Sequence, residues 1–353
     1  MAGMGSYVYE FAEGGRDMAD LLGEKGANLA EMARMGLPVP PGFTITTEAC
    51  RDFLATGEPP EDLDRQIGEH LAALESASGK RLGQVDDPLL LSVRSAAGFS
   101  MPGVMETILD IGLNDLSVLG LGKTPERERF AWDSYRRLVQ MFGNIVMDID
   151  VTLFEGMLQR VKEQHHVVDD SRLDTCDLIR VVESFKDLIF DRAGRKFPQD
   201  PREQLREAIL AVFTTWNSER ARLYRRSEYI ADDLSAAVTI QRMVFGNLGT
   251  DSGSGVAFTR DPATGRPGFY GEYLPNAQGE DVVSRVRDSV SLHELATLDP
   301  ASFQQLRAYT EQLEDHYQDL CDIEFTIEHG TLWILEARVG KRTAQAASAS
   351  PHN

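Results

Sequence analysis

The chain has 353 residues, 42% hydrophobic and 26% charged, a length for two or three packed units and a composition that excludes a disordered or fibrous protein. Asp and Glu outnumber Lys and Arg by 56 to 36, so the summed field repels a nucleic-acid backbone, although a compact polyanion such as ATP still binds where a few cations converge and Mg²⁺ masks part of its charge. Cys50, Cys176 and Cys321 stand far apart with no CxxC pair, which argues against a zinc site or a disulfide framework. With no signal-like opening and no apolar run of membrane length, the sequence reads as cytoplasmic, with neither nucleic acid nor membrane as partner.

In chain order, a short strand-like piece at Tyr7 to Phe11 precedes an apolar helix pattern around Leu21 to Met35. Gly36, Pro38, Pro40 and Pro41 break that helix before the β-branched run FTITT. Leu89 to Val93 reads as a strand ending at Arg94, and SAAGFSMPG after it reads as a loop of small residues. From about Thr124 to Leu223 the pattern is helical, with a polar interruption at KEQHHVVDDSRLD that marks a subdomain boundary. The helix starting near Asp200-Pro201 has the clearest signals: Asp200 to cap it, Pro201 in its first turn, and Leu205, Ile209, Val212, Phe213 and Trp216 along one face. After Ala236 the pattern turns to glycine-bounded strands in AAVTIQRMVFG, SGSGVAFTRDPATG and GFYGEYL. A helix over Ser302 to Leu320 follows, and then IEFTIE and TLWILEAR, joined by His329-Gly330 as a hairpin.

That hairpin carries the most informative charges. Glu324 and Glu336 lie in neighbouring strands amid apolar residues, and Asp322 precedes the first strand. Carboxylates facing a core are costly unless paired or metal-bound, and Mg²⁺ is commonly shared between protein carboxylates and substrate phosphates. Alternation leaves open the plainer reading, a solvated face of an edge hairpin. Arg338 has the parity of Glu336 and could reach a phosphate from beside it. Two weaker features are the Gly-Ser cluster from Ser252 to Gly265, read as four small residues preceding a strand and more often a plain turn than a phosphate cradle, and Lys25. The latter lies between two glycines ahead of a helix, a position suited to anion binding as well as to an ordinary solvated lysine.

Together these segments resemble the N-terminal nucleotide-binding domain of the pyruvate phosphate dikinase family over nearly the whole chain. The resemblance is carried by LLGEKGANLAEM, PVPPGFTITTEAC, LLSVRSAAGFSMPGVMETILDIGLND, FAWDSYRRLVQMFG, AVTIQRMVFGNLG, SGVAFTRDPATG, GEYLPNAQGEDVV, DIEFTIEHGTLWILEAR and GKRT. It implies an α+β ATP-grasp fold with two lobes and a mainly helical subdomain. The division expected is 1–112 as the N-terminal lobe, 113–198 as the helical subdomain, 199–245 as a return to the first lobe, 246–343 as the C-terminal lobe with the carboxylate hairpin, and 344–353 as a flexible tail. The resemblance further implies that Lys25 and Arg94 contact the phosphates of ATP, with Arg338 near the terminal one, and that Met101, Pro102 and Gly103 form a closing loop. Gln241, Met243 and Val244 would supply the adenine edge, Ser254 a nucleotide contact, Glu272 or Glu280 the ribose contact, and Asp322, Glu324 and Glu336 the Mg²⁺ ligands. The implied reaction is a two-stage phosphotransfer in which ATP ends as AMP, the acceptors being inorganic phosphate and a histidine on a separate phosphohistidine domain.

The sequence departs from the family pattern in three places. It stops after GKRTAQAASASPHN, before the family's phosphohistidine domain, and none of its seven histidines lies in a Thr-Ser-His context. Gly98, followed by Phe99, replaces an arginine of the family's Arg-Ser-Gly-Ala-Arg run, and Glu336 stands where glutamine is usual. These departures leave two readings, an excised domain of a longer protein or, favoured by the two substitutions, a diverged stand-alone phosphotransferase acting on a histidine in trans, phosphate or a small-molecule acceptor. The other readings are an ATP-grasp ligase that forms an acyl phosphate with release of ADP, and a nucleotide-binding regulator without turnover.

Overall fold

The computed structural model describes residues 5–97, 107–230, 234–279, 282 and 289–340. Two compact units are built from it, one from Met1–Gly26 with Pro41–Met243 and the other from Ala27–Pro40 with Val244–Asn353. The chain passes from one to the other after Gly26, after Pro40 and after Met243.

The first unit is organised on a sheet of order β1-β2-β5-β3-β4 with antiparallel pairings throughout. Its strands are β1 (Val8–Glu10), β2 (Gly42–Ile45), β3 (Leu91–Ala96), β4 (Thr107–Ile111) and β5 (Ala237–Arg242). The period-two pattern sorts side chains cleanly. Phe43, Ile45, Val93, Val238 and Ile240 share one face and are all buried at 1% or less. Thr44, Ser92, Arg94, Thr239 and Gln241 share the other.

Helix α1 (Ala19–Arg34) begins in this unit; α2 (Thr47–Thr56), α3 (Leu63–Ser78), α4 (Ser117–Leu121), α5 (Pro125–Ile145), α6 (Val151–Gln164), α7 (Thr175–Ala193), α8 (Pro201–Thr215) and α9 (Glu219–Ser227) complete it. Helix α8 starts as the sequence dictates: Asp200 accepts from the Arg202 amide, Pro201 opens the first turn, and Leu205, Ile209, Val212, Phe213 and Trp216 are buried. The polar stretch after α6 is a connection inside this unit. Both α6 and α7 pack on α5, and Lys162 pairs with Asp170 across the interruption.

A buried charge cluster ties this helical layer together. Asp133 on α5 accepts from Arg136 at 2.7 and 2.9 Å and from Arg137 at 3.2 Å, and Arg136 is itself 4% exposed. Burial pushes the Asp133 carboxyl up, but the Arg136 and Arg137 guanidiniums outweigh it and hold the group below the usual carboxylate range. A folded-state value depressed in this way contributes stability that is fully present above the unfolded value near pH ~4 and lost as pH falls through the folded one. Asp133→Asn is therefore expected to cost about 3 kcal/mol at neutral pH, because Arg136 stays buried without its main partner. Urea titrations at pH 7 and pH 3 check this, and the gap between wild type and variant should narrow on acidification.

The second unit carries a sheet of order β10-β9-β6-β7-β8, again antiparallel in every pairing. It comprises β6 (Gly253–Arg260), β7 (Pro267–Pro275), β8 (Val290–Ser291), β9 (Cys321–Glu328) and β10 (Thr331–Val339), with helices α10 (Leu292–Leu298) and α11 (Pro300–Tyr317). Ile323, Phe325, Ile327, Leu332, Ile334 and Ala337 form its core with Phe303, Leu306 and Leu313 of α11.

Residues 27–40, which the sequence division places in the first lobe, belong to this unit for a visible reason. Leu29, Ala30 and Met32 are buried, the Ile334 amide donates to Pro38 O, Gln312 donates to Met35 O, and His316 lies 2.8 Å from Glu31. Among the described residues no helix is long and apolar enough to cross a membrane. Cys50 and Cys321 are buried free thiols and Cys176 is an exposed one.

Candidate functional site

In the first unit the site residues sit on the polar sheet face and on the turn that covers it. The helical backbone of α1 is broken at Gly23, with φ 69° and ψ 164°, a conformation essentially reserved for glycine. A Cβ there would lie 2.6 Å from Ala96 O, so the chain presses directly on the end of β3, and the Glu24 amide donates to Ala97 O. The helix restarts at this point, which sets half-buried Lys25 in its first turn. One residue on, a Cβ at Gly26 would meet the Thr44 side chain at 3.0 Å. Gly23 and Gly26 are thus close-approach residues that lay a cation and a helix start on the sheet's polar face.

Arg94 lies in β3 opposite Thr239 on one side and Thr107 on the other. The residue is half-buried, and its Nε is sealed from solvent with no hydrogen-bond partner among the described residues. Gln241, 3% exposed, is two residues along β5 on the same face, and its carbonyl accepts from the Ser92 hydroxyl. Met243 follows β5: its amide donates to Leu90 O and its sulfur accepts from the Asp110 amide at 3.0 Å. Val244, buried, is the first residue of the second unit after this crossing.

In the second unit the carboxylates form a transverse row. Glu336 of β10 opposes Glu324 of β9, Glu324 opposes Val256 of β6, and Val256 opposes Glu272 of β7. The next row holds Arg338 opposite Asp322, and Asp322 opposite Phe258. A register shift between Ile334 and Glu336 makes this arrangement. Continuing the register of the hairpin end would set Leu335 against Glu324 and turn Glu336 to the apolar face; the bulge returns it to the side of Glu324. The hairpin turn is of the two-residue type with both central residues left-handed, His329 at φ 47° and Gly330 at φ 70°, and His329 is held by Asp251 and Ser252.

Arg338 Nε donates to both Asp322 oxygens at 2.8 and 3.0 Å, and Arg338 Nη1 lies 3.9 Å from Glu336. Burial pulls the Arg338 guanidinium down, but Asp322, Glu336 and Glu324 more than offset it, and its pKa is raised. Among the described residues no three Asp, Glu, His or Cys side chains are grouped closely enough to hold a metal ion.

Glu272 is exposed and accepts from the Ser289 hydroxyl at 2.9 Å. Ser254 is 1% exposed and its hydroxyl is paired with Thr326 Oγ1 at 2.9 Å. The glycines beside it are strand residues, and their place is structural: Tyr273 and Phe325 stack at 6.2 Å where Cβ atoms at Gly253 and Gly255 would be. The cluster therefore lies inside β6 rather than ahead of it. Met101, Pro102, Gly103 and Glu280, with the departures at Gly98 and Phe99, lie outside the described residues. Sequence reasoning missed Thr44 and Thr239. The only signal for them was the alternation of FTIT and VTIQ, which puts both threonines on the side of Arg94.

The arrangement offers two kinds of surface, one with Lys25 and Arg94 suited to phosphoryl oxygens, and one with opposed carboxylates and an arginine suited to a cation beside a phosphate. The family model of the pyruvate phosphate dikinase AMP/ATP-binding domain matches residues 19–84, 56–293 and 286–353. The chain is 48% identical over 347 residues to a pyruvate, phosphate dikinase of Clostridium symbiosum and 46% identical over 361 residues to one of Rhizobium meliloti (strain 1021), covering 98% of this chain and 40% of the relative in both cases. It is 48% identical over 337 residues to the chloroplastic pyruvate, phosphate dikinase 1 of Oryza sativa subsp. japonica, covering 95% of this chain and 36% of that protein. The chain thus spans about two fifths of the length of these relatives. With its mixed α and β architecture and its two five-stranded antiparallel sheets, the chain belongs to the pyruvate phosphate dikinase AMP/ATP-binding domain family, which is ATP-grasp-like.

Proposed function

We propose that this chain binds MgATP and cleaves it to AMP, the γ-phosphoryl group passing to inorganic phosphate as pyrophosphate and the β-phosphoryl group to a histidine in trans or a small-molecule acceptor. The observation that carries the reading is the carboxylate row, Glu336 directly opposite Glu324 with Arg338 alongside. Like charges placed opposite each other across strands are unfavourable, and a bound cation turns that cost into a binding site.

The donor chemistry fits Mg²⁺: Glu324 and Glu336 would hold it together with phosphate oxygens, as is usual for this ion. Asp322, expected as a third ligand, spends both its oxygens on Arg338, and its role in this reading is to aim that guanidinium. When bound, Mg²⁺ neutralises charge on the phosphates. Lys25 and Arg94 bind and orient phosphoryl oxygens from the first unit's polar face, and Arg338 meets the terminal group. Gln241, Met243 and Val244 supply the adenine edge, and Glu272 a ribose contact. No protein nucleophile is required, since positioning and electrostatics carry most of the rate in phosphoryl transfer.

Calorimetric titration with ATP tests the site before any chemistry. Binding is expected to tighten by about tenfold or more when Mg²⁺ is present, and Glu336→Gln, the family's usual residue, is expected to retain most of that dependence because Glu324 stays. ATP affinity independent of Mg²⁺ in the wild type would contradict the carboxylate assignment.

A further inference from the structure

One transverse row of the first unit's sheet contains three polar atoms that are buried without hydrogen-bond partners among the described residues: Thr44 Oγ1, Thr239 Oγ1 and Arg94 Nε. They are consecutive neighbours, Thr44 opposite Thr239 and Thr239 opposite Arg94. Thr44 is 1% and Thr239 0% exposed, and Gly26 closes over Thr44. A buried hydroxyl without a partner bears its full desolvation cost, and valine would fill each position without it. Three such atoms side by side, the last on the arginine assigned above to the phosphates, form a set that can satisfy itself. Arginine only donates, whereas threonine both donates and accepts.

We propose that Thr239, backed by Thr44, is a positioning residue for Arg94. With a phosphoryl group in the site, Arg94 Nε–H donates to Thr239 Oγ1 and the Thr239 hydroxyl donates to Thr44 Oγ1. This fixes the plane of the guanidinium and leaves its two terminal nitrogens for phosphate oxygens. Cross-strand partners have Cβ atoms about 4.5–5.5 Å apart, a spacing such a chain spans by rotation of the threonine side chains. The inference rests on the reading of Arg94 as a phosphate ligand.

The test is a double-mutant cycle read by binding of MgATP to the whole chain, with adenosine as the control ligand. Thr239→Val is expected to weaken MgATP about tenfold, the worth of one hydrogen bond to a charged group, to leave adenosine affinity and the thermal midpoint no lower, and to be rescued by Thr239→Ser. Arg94→Lys is expected to weaken MgATP by about as much or more, and in that background Thr239→Val should have no further effect, because lysine has no Nε–H to hold. Wild-type MgATP affinity in Thr239→Val, an equal loss for adenosine, or the same factor lost with lysine at position 94 would overturn the positioning role. Unchanged affinity in Arg94→Lys would instead sink the phosphate reading of Arg94, and this inference with it.

Discussion

Glu324→Ala is expected to lower Mg²⁺-dependent turnover of ATP by about a hundredfold or more while leaving the chain folded. Glu324 is half-buried on the polar face, with Glu336 directly opposite. Removing one of two facing carboxylates relieves repulsion but also loses its attraction to the Arg338 guanidinium, so the thermal midpoint should change little. The loss should be partly recovered at high Mg²⁺, because a weakened ion site fills again by mass action. Turnover at the wild-type rate would remove Glu324 from the metal site, and a loss accompanied by unfolding would assign it to structure instead.

Gly23→Ala is expected to be strongly destabilising. At φ 69° and ψ 164° the backbone is in a region that side chains avoid, and the new Cβ would stand 2.6 Å from Ala96 O and 2.8 Å from Ala96 C. These are main-chain atoms of β3 and cannot swing aside. Backbone strain and overpacking together should cost about 2–5 kcal/mol. The folded fraction should also bind MgATP more weakly, since relief of the clash moves the helix start that bears Lys25 away from the strand that bears Arg94. Gly57→Ala is a control for a positive φ without a contact: its φ is 78° and ψ 0°, and nothing lies within 4 Å of its Cβ position, so only the milder left-handed penalty of about 1 kcal/mol applies. Urea unfolding of the two variants separates the contributions, and equal losses would show that the contact with Ala96 is without effect.

The helices and strands with strong local signals were legible in the sequence. Asp200 and Pro201 begin α8 because cap and φ restriction act within one turn, and His329-Gly330 closes the hairpin because both residues accept positive φ. The carboxylate row was legible in its residues but not in its geometry. Strict alternation from that turn would separate Glu324 from Glu336, and only the bulge at Leu335 brings them opposite. The glycines at 253 and 255 read as a turn or a phosphate cradle because a sequence does not show Phe325 and Tyr273 arriving over them from other strands.

Residues 27–40 read as part of the first lobe for the same reason. What places them is a set of long-range bonds to Gln312, His316 and Ile334. Thr44 and Thr239 are 195 positions apart in the chain and became neighbours only through the β2–β5 pairing.

The most direct test of phosphoryl transfer from MgATP is ³¹P NMR of ATP incubated with the chain and Mg²⁺, with and without inorganic phosphate and a separately supplied phosphohistidine-type acceptor protein. The expected result, with phosphate and acceptor both present, is loss of ATP with appearance of AMP, pyrophosphate and the phosphorylated acceptor, and no reaction when Mg²⁺ is withheld. Accumulation of ADP would contradict it and move the chain to kinase or ligase chemistry, and ATP left intact in every mixture would leave nucleotide binding as its whole activity.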